Sequence, residues 1–152
     1  MIGIERGADL SAFLDKIVAN PGMYSEVVVC APFIDAPSAR RLCDLAARAR
    51  RTSCGLTIIT SSRGGAMLNA IDPDLSKSDR LKVRVWRNLH AKAYLAVTRG
   101  RRPRSEAIIT SANLTAAAFS TNLELGIRAN SRSAAGRALV AQVRQALSIL
   151  SN

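Results

Sequence analysis

The sequence predicts an α/β fold in which helices flank a mixed β-sheet, within a single domain spanning residues 1–152. Three observations support this prediction. Short apolar runs rich in β-branched residues alternate with amphipathic segments of helical period, as in strands connected through helices. Two later apolar runs flank a turn-rich connector, which indicates an antiparallel hairpin. A length of 152 residues with 48% hydrophobic residues suits one core.

The predicted helices separate their apolar and polar residues onto different faces. The first, GADLSAFLDKIVAN, has apolar residues at helical spacing and ends before Pro21 and Gly22. The second, PSARRLCDLAARARR, begins with a proline in a first-turn position and has a basic face. RGGAMLNAI is predicted as a short helix, and SAAGRALVAQVRQALSIL closes the chain with a long apolar stripe.

The predicted strands fall into a buried pair, a later strand and a hairpin. SEVVVCAPFI and GLTIITSS are apolar enough to be buried on both faces of the sheet. LKVRVW follows the polar loop DPDLSKSD, and NLELGIRA is one more strand candidate. Residues 89–98 and 106–111 are predicted to pair as a hairpin across the basic connector RGRRPRS.

His90, the only histidine of the chain, lies at the start of this hairpin. Strand alternation places His90, Lys92 and Tyr94 on one face, while the apolar residues at the alternate positions face the core. With a turn near Arg101 and Arg102, positions whose numbers sum to about 203 lie opposite one another, so His90 faces Asn113.

One end of the hairpin therefore collects groups that together can surround a phosphate. They are His90, Lys92, Ser111, Asn113 and Thr115, with the carboxylate of Glu124 further along. Lysine supplies a charge, and hydroxyl and amide groups supply donors for the charge that develops at phosphorus. Histidine can act near neutral pH as a nucleophile or as an acid and base, and a carboxylate can orient it. Each residue taken alone also fits an ordinary strand, turn or helix-cap role.

The motifs HAK and SAN, with an acidic residue beyond them, resemble the H-x-K and G/S-S-x-N signature of the phospholipase D superfamily. The resemblance is greatest to its small nucleases and to the nuclease domains of some restriction enzymes. It covers roughly residues 25–130 and implies a phospholipase D-like α/β sandwich. It also implies a phosphodiesterase that uses neither metal nor cofactor. His90 would form a phosphohistidine, Lys92 and Asn113 would bind the phosphoryl oxygens, and Glu124 would position a histidine.

The same resemblance implies a homodimer, because such sites need two H-x-K elements and this chain contains one. Small family members pool two copies across a two-fold axis, which would bring two His90 residues face to face. Two departures from the family pattern stand out. Val97 occupies the place of an aspartate, and Thr110 that of a glycine. The missing acid motivates an alternative, in which the chain is a nucleic-acid-binding or scaffolding module with an impaired site.

The charge of the chain favours a polyanionic partner. It carries 22 Lys plus Arg against 11 Asp plus Glu, a formal net charge of +11. We expect nucleic acid, DNA before RNA, with Arg40 and Arg41 among the phosphate contacts. An arginine bias of the genome would produce the same composition without a functional cause. Aromatic residues total only 4%, which predicts phosphate contacts rather than base stacking.

Lipid hydrolysis is the alternative substrate class, although no amphipathic membrane helix with aromatic anchors is evident. The basic segment TRGRRPRSE lies roughly 26 Å from His90 at about 3.3 Å per residue, too far to hold the scissile phosphate. It can contact flanking nucleic acid or remain a solvated hairpin tip.

Cysteine usage and the N-terminus give expectations about location. Cys30, Cys43 and Cys54 form no metal-ligand pattern, so we expect reduced thiols and no structural zinc. No signal-peptide pattern is present, nor the roughly 18 uninterrupted apolar residues of a membrane span. We expect a cytoplasmic protein without membrane contact. A separate targeting domain or subunit would suit a restriction or defence system.

Overall fold

A computed structural model describes residues 2–75 and 80–151. The strands are β1 Ile2–Glu5, β2 Tyr24–Cys30, β3 Gly55–Thr60, β4 Leu81–Val85, β5 Ala93–Thr98, β6 Ser105–Thr110 and β7 Gly126–Asn130. The helices are α1 Gly7–Ala19, α2 Ala36–Arg50, α3 Ser62–Ile71, α4 Ala116–Ser120 and α5 Ala134–Ser151, and a 3₁₀ turn spans Pro21–Met23.

The strands form one mixed sheet in the order β1-β7-β6-β5-β2-β3-β4. β2, β3 and β4 are parallel, and β5, β6, β7 and β1 continue the sheet with antiparallel pairs. Both parallel connections pass through a helix, as parallel pairing requires. The predicted α/β fold with a mixed sheet flanked by helices is confirmed.

Each face of the sheet has its own apolar core. Val27 and Val29 of β2 belong to a cluster that includes buried residues of α1, α2, α3 and α4. Val28 belongs to a smaller cluster under α5, with Val140 and Val143. Because both faces are covered, the central strands carry apolar residues on both faces instead of a strict alternation with polar residues.

Two close contacts fix helices above the larger core. A Cβ atom at Gly7 would lie 1.8 Å from the carbonyl oxygen of Ala118, so only glycine lets α1 approach α4 this closely. Asp35 begins α2 and accepts a hydrogen bond from the amide of Ser38 at 2.9 Å. This N-cap satisfies a backbone donor that has no partner within the helix.

The hairpin differs from its prediction in extent and register. Its strands are β5 and β6, and Ala93 pairs with Ile109, so residues 89–92 precede the strand. Pairing stops before it reaches His90 and Asn113, and the predicted alternation holds only from Ala93 onward, with Ala93, Leu95 and Val97 in the cluster under α5. Tyr94, expected on the face away from the core, is 0% exposed because helices cover both faces.

Other differences concern short elements at the margins of the sheet. β1 and the five-residue α4 lack a distinct sequence pattern and were not predicted. The strand expected in NLELGIRA begins only at Gly126, and part of the polar loop DPDLSKSD lies outside the described residues. No helix in the described part of the chain is both long and apolar enough to cross a membrane.

The three cysteines are free thiols, as predicted. Cys30 and Cys54 are buried and Cys43 is half-buried. Burial raises the pKa of the Cys30 and Cys43 thiols to about 11, so both are protonated at neutral pH.

Candidate active site

The topology gathers the predicted residues at one edge of the sheet. Cys30 at the end of β2 pairs with Ala93 at the start of antiparallel β5. Thr110 at the end of β6 in turn pairs with Gly126 at the start of β7. The segments that carry the H-x-K motif, the S-x-N motif and the downstream acid therefore all lie beyond this edge.

His90 lies in the loop between β4 and β5 rather than in a strand. Its side chain is exposed, and its imidazole makes no hydrogen bond to any described residue. Lys92 is half-buried, and its Nζ donates to the main-chain oxygen of His90 at 3.1 Å. The amide of Thr110 donates to the main-chain oxygen of Lys92 at 3.2 Å, which ties the loop to β6. The ammonium group is thus held at the main chain of His90, whose side chain is accessible.

Glu124 is held by donors other than histidine. Ser111 Oγ donates to Glu124 Oε2, and Asn122 Nδ2 donates to Glu124 Oε1 at 3.3 Å. The amide of Leu125 donates back to Ser111 Oγ at 3.2 Å. Ser111 and Glu124 therefore form one hydrogen-bonded unit. Among the described residues, no hydrogen bond joins Glu124 to His90.

Asn113 is half-buried and held from the end of β2. Its Oδ1 accepts a hydrogen bond from the amide of Phe33 at 3.4 Å. A short parallel bridge between Ile34 and Leu114 fixes the two segments beside each other. The Nδ2 of Asn113 donates to no described residue, so this group is available as a donor. Thr115 is the N-cap of α4 and accepts from the amide of Ala118 at 3.2 Å, which is the structural role that the sequence left open.

Tyr94 supports the S-x-N loop from below and was missed as a site residue. Its hydroxyl donates to the main-chain oxygen of Ala112 at 3.2 Å. Burial, with smaller effects of Cys30 and Glu124, raises the pKa of the Tyr94 phenol. The phenol therefore stays a neutral donor beneath Ser111 and Asn113. Its signal in the sequence was its position two residues after Lys92.

A cavity of about 380 Å³ lies beside Asn113 and Thr115. Its other lining residues include Phe33, Arg63 and Met67. Phe33 is 46% exposed, so an aromatic face is accessible at the site despite the low aromatic content. The sequence singled out neither Phe33 nor Arg63, because their proximity depends on how the loops after β2 and β3 meet.

The two arginines predicted to contact phosphate do not line this cavity. Arg41 forms an ion pair with Asp15 and donates to the main-chain oxygen of Ser11 at 2.5 Å. Its guanidinium also lies over the ring of Phe119, 5.9 Å from the centroid. Arg41 is therefore occupied in joining α1 to α2. Arg40 is exposed on α2.

The two departures from the family pattern have structural roles. Val97 is 6% exposed and belongs to the apolar cluster under α5. Thr110 Oγ1 donates to the main-chain oxygen of Leu125 at 3.2 Å and accepts from the amide of Ala112 at 3.1 Å. The basic connector follows Thr98 at the other end of β5, on the opposite edge of the sheet from His90.

Comparison with known proteins gives matches by structure but none by sequence. No family model matches the chain, and no curated protein sequence does. NucT from Helicobacter pylori is similar in structure, with a TM-score of 0.58 and 16% identity over 97% of this chain and 96% of that chain. The phospholipase D family member Nuc from Salmonella typhimurium has a TM-score of 0.59 and 16% identity, over 95% and 91% of the two chains.

Another similar structure is that of TrmBL2, an archaeal chromatin protein. Its TM-score is 0.58 at 14% identity, and the match covers 99% of this chain and 53% of that chain. At these identities the likeness concerns the fold. The two full-length matches confirm the predicted phospholipase D-like α/β fold.

Proposed function

We propose that this chain is a metal-independent phosphodiesterase that cleaves nucleic acid through a phosphohistidine at His90. The observation that carries the proposal is the convergence, at one edge of a phospholipase D fold, of an exposed imidazole with Lys92, Ser111, Asn113 and Glu124. These residues supply a nucleophile, a cation, an amide donor and a positioned carboxylate. The proposed reaction therefore needs no metal.

The proposed reaction has two steps. A ring nitrogen of His90 attacks phosphorus, a P–N bond forms, and the P–O bond to the leaving oxygen breaks. A second histidine side chain, in its protonated imidazolium form, donates a proton to that oxygen. The same imidazole, now neutral, accepts a proton from water, whose oxygen attacks phosphorus and breaks the P–N bond. Lys92 Nζ and Asn113 Nδ2 bind the non-bridging oxygens and stabilise the charge in both transition states.

The second imidazolium must come from a partner, because the chain has one histidine. We propose a two-fold homodimer in which the two His90 residues face each other in one shared site. An uncovered apolar surface near the site supports this proposal. We call it the apolar edge strip, and its residues are Ile2, Ile4, Ile109, Leu123, Leu125 and Ile127, with exposures of 41% to 91%.

Part of the apolar edge strip lies on one face of the sheet, and part lies in the loop that carries Glu124. Ile127 pairs with both Ile4 and Ile109 across the sheet, so their side chains share one face. Leu123 and Leu125 flank Glu124 in the chain. A second copy that covered this strip would therefore approach the catalytic edge as well.

Nucleic acid is the proposed substrate, with DNA preferred. The net charge of +11 attracts a phosphate backbone, and TrmBL2, to which the chain is similar, is described as binding DNA. The exposed ring of Phe33 and the guanidinium of Arg63 line the cavity beside Asn113, where they can contact a nucleotide next to the scissile phosphate. A separate subunit or domain would supply targeting in a restriction or defence system.

The test combines cleavage with trapping of the intermediate. We expect the protein to cut end-labelled DNA in EDTA and, after rapid quenching in denaturant, to carry label as an acid-labile adduct. His90→Ala should show neither property. Phosphatidylcholine vesicles provide the lipid arm, and they should release no headgroup.

A second candidate function is DNA binding by a catalytically impaired site. The absence of a hydrogen bond between His90 and Glu124, together with Val97 in place of an acid, favours it. Tight DNA binding without cleavage by the wild type would support this candidate. Equal cleavage by His90→Ala and wild type would exclude the covalent mechanism.

A further inference from the structure

A second cavity, of about 470 Å³, lies at the sheet edge opposite the candidate active site. Thr98 at the end of β5 and Ser105 at the start of β6 contribute to it, as does Tyr24 at the start of β2. Thr98 lies six residues along the chain from Lys92, which is roughly 20 Å at about 3.3 Å per residue, and Ser105 and Tyr24 lie beside it on the neighbouring strands. The cavity is therefore separate from the site proposed for catalysis.

The lining of this cavity is strongly basic. It includes Lys16, Arg104, Arg128 and Arg132 and a single acidic residue, Glu106. Arg128 Nε lies 2.5 Å from Glu106 Oε1, so this acid is already neutralised. Lys16, Arg104 and Arg132 have no side-chain hydrogen bond or ion pair with any described residue. Cations that line a concavity of low dielectric constant concentrate positive potential there.

Main-chain contacts fix the backbone at two of these residues. The amide of Arg104 donates to Thr98 Oγ1 at 2.8 Å, and the amide of Thr98 donates to the main-chain oxygen of Arg104 at 2.8 Å. The amide of Arg132 donates to Asn130 Oδ1 at 3.2 Å. A ligand would thus meet cations on an ordered backbone, which lowers the entropic cost of binding.

Tyr24 adds a neutral donor. The residue is 6% exposed and lines the cavity, and its hydroxyl makes no hydrogen bond to any described residue. Burial, followed by the charge of Glu106, raises the pKa of the Tyr24 phenol, so it keeps its proton at neutral pH. The hydroxyl is therefore available to donate to a ligand in the cavity.

Gly3 keeps one wall of the cavity open. It pairs with Arg128 across β1 and β7, so a side chain at this position would project on the same face as Arg128. A Cβ at Gly3 would meet no atom within 4 Å. The Cβ of a larger apolar residue therefore fits at this position, on the face of the cavity, without changing its charge.

We propose that this cavity is a second anion site, which binds the phosphate group of a nucleotide or of a nucleic-acid strand. Its volume falls within the range of small-ligand pockets. Three cations without protein partners and the Tyr24 hydroxyl supply the charge and donors that phosphate oxygens accept. The proposal does not depend on the chemistry at His90.

Calorimetric titration tests the proposal at low salt, with every protein in a His90→Ala background so that no strand is cut. The probes are inorganic phosphate, adenosine 5′-monophosphate and a six-nucleotide single-stranded DNA. Gly3→Leu should weaken binding at least tenfold by filling the cavity. The double variant Arg104→Gln/Arg132→Gln should weaken it at least as much by removing two cations.

The matched control is Arg48→Gln/Arg51→Gln, which removes two charges at the end of α2 that do not line the cavity. Nucleotide binding that the cavity variants alone weaken supports a free-nucleotide site. The same pattern with DNA alone supports a strand phosphate. No binding of any probe at millimolar concentration, equal losses in the control, or full binding by Gly3→Leu with a native thermal midpoint would overturn the proposal.

Discussion

Trp86 Nε1 donates to the main-chain oxygen of Leu150 at 2.8 Å, and this hydrogen bond joins the loop that carries His90 to the last turn of α5. Arg84 Nε similarly donates to the main-chain oxygen of Ser151 at 2.9 Å. The last carbonyl groups of a helix lack partners within it, so both side chains satisfy acceptors at the helix end. Only Trp86 lies in the His90 loop itself.

Trp86→Phe should loosen the His90 loop, because it keeps an aromatic ring but removes the donor. One lost hydrogen bond costs roughly 1 kcal/mol, which corresponds to a decrease of about 2–4 °C in the thermal midpoint. We expect the cleavage rate to fall about tenfold as His90 loses its fixed position. Arg84→Met is the control, since it removes a donor to the same helix end from β4. A similar loss of activity in both variants would show that α5, and not the loop, is affected.

Ser111→Ala should act on catalysis through Glu124. Of the described residues, only Asn122 then donates to this carboxylate, so the orientation of the carboxylate becomes less defined. We expect kcat to fall about tenfold while KM changes little, and Glu124→Gln to cost at least as much. Thr115→Ala is the contrast, because it removes the α4 cap and should lower stability by about 1 kcal/mol. The assignment fails if Ser111→Ala lowers the thermal midpoint but leaves kcat unchanged.

The sequence predicted the parts of the fold that depend on local patterns. Strands apolar on both faces, amphipathic helices and the hairpin connector each have a period or a turn signal, so β2, β3, α1, α2 and α5 were found. β1 and α4 are too short for a period to appear. The extent of β5 was wrong because periodicity alone cannot say where pairing stops.

The candidate site was predicted as a set of residues but not as an arrangement. The predicted residues do lie at one edge of the sheet, because the segments that carry them precede β5, follow β6 and precede β7 there. These residues are His90, Lys92, Ser111, Asn113 and Glu124. That Ser111 contacts Glu124 depends on side chains that meet across two loops. The apolar edge strip and the basic cavity combine residues distant in sequence, so no local pattern contains them.

Val97→Asp should not restore a missing catalytic acid. Val97 lies in the apolar cluster under α5, about 13 Å from Ala93 along β5 at about 3.3 Å per residue. A carboxylate there has no partner and should destabilise the fold by at least 3 kcal/mol, against about 2 kcal/mol for Val97→Ala. Denaturant unfolding measures both values. Increased cleavage by Val97→Asp with unchanged stability would contradict this placement.

Asp35 should make stability depend on pH in the acidic range. Burial acts to raise the pKa of this carboxyl, but hydrogen bonds from the amides of Ala116 and Ser38 outweigh it and lower the pKa. A lowered folded-state pKa stabilises the fold above the unfolded value of about 3.9 and ceases to do so as pH falls through the folded value. Thermal midpoints should therefore decline below about pH 4.

Asp35→Asn provides the matched variant for this pH dependence. Asparagine also caps helices well, so α2 keeps its N-cap while the titrating group is lost. The midpoint of this variant should decline less steeply between pH 5 and pH 3 than that of the wild type. Parallel curves for the two proteins would assign the acid sensitivity to other carboxylates.

The apolar edge strip should control both association and cleavage. Ile4 is 80% exposed on the edge strand β1 and pairs with Ile127, so Ile4→Lys places a charge where a second copy would pack. If the site needs two His90 residues, the variant should sediment as a monomer and lose at least a hundredfold in cleavage rate. Analytical ultracentrifugation and the EDTA cleavage assay measure the two effects.

Ile149→Lys is the control, because Ile149 is 65% exposed on α5, outside the apolar edge strip. It should leave mass and activity unchanged. Mixing wild type with an excess of His90→Ala should lower the cleavage rate, since the shared site of each mixed dimer would lack one imidazole. A monomeric Ile4→Lys protein with full activity would show that one chain suffices, and the two-histidine mechanism would then have to be abandoned.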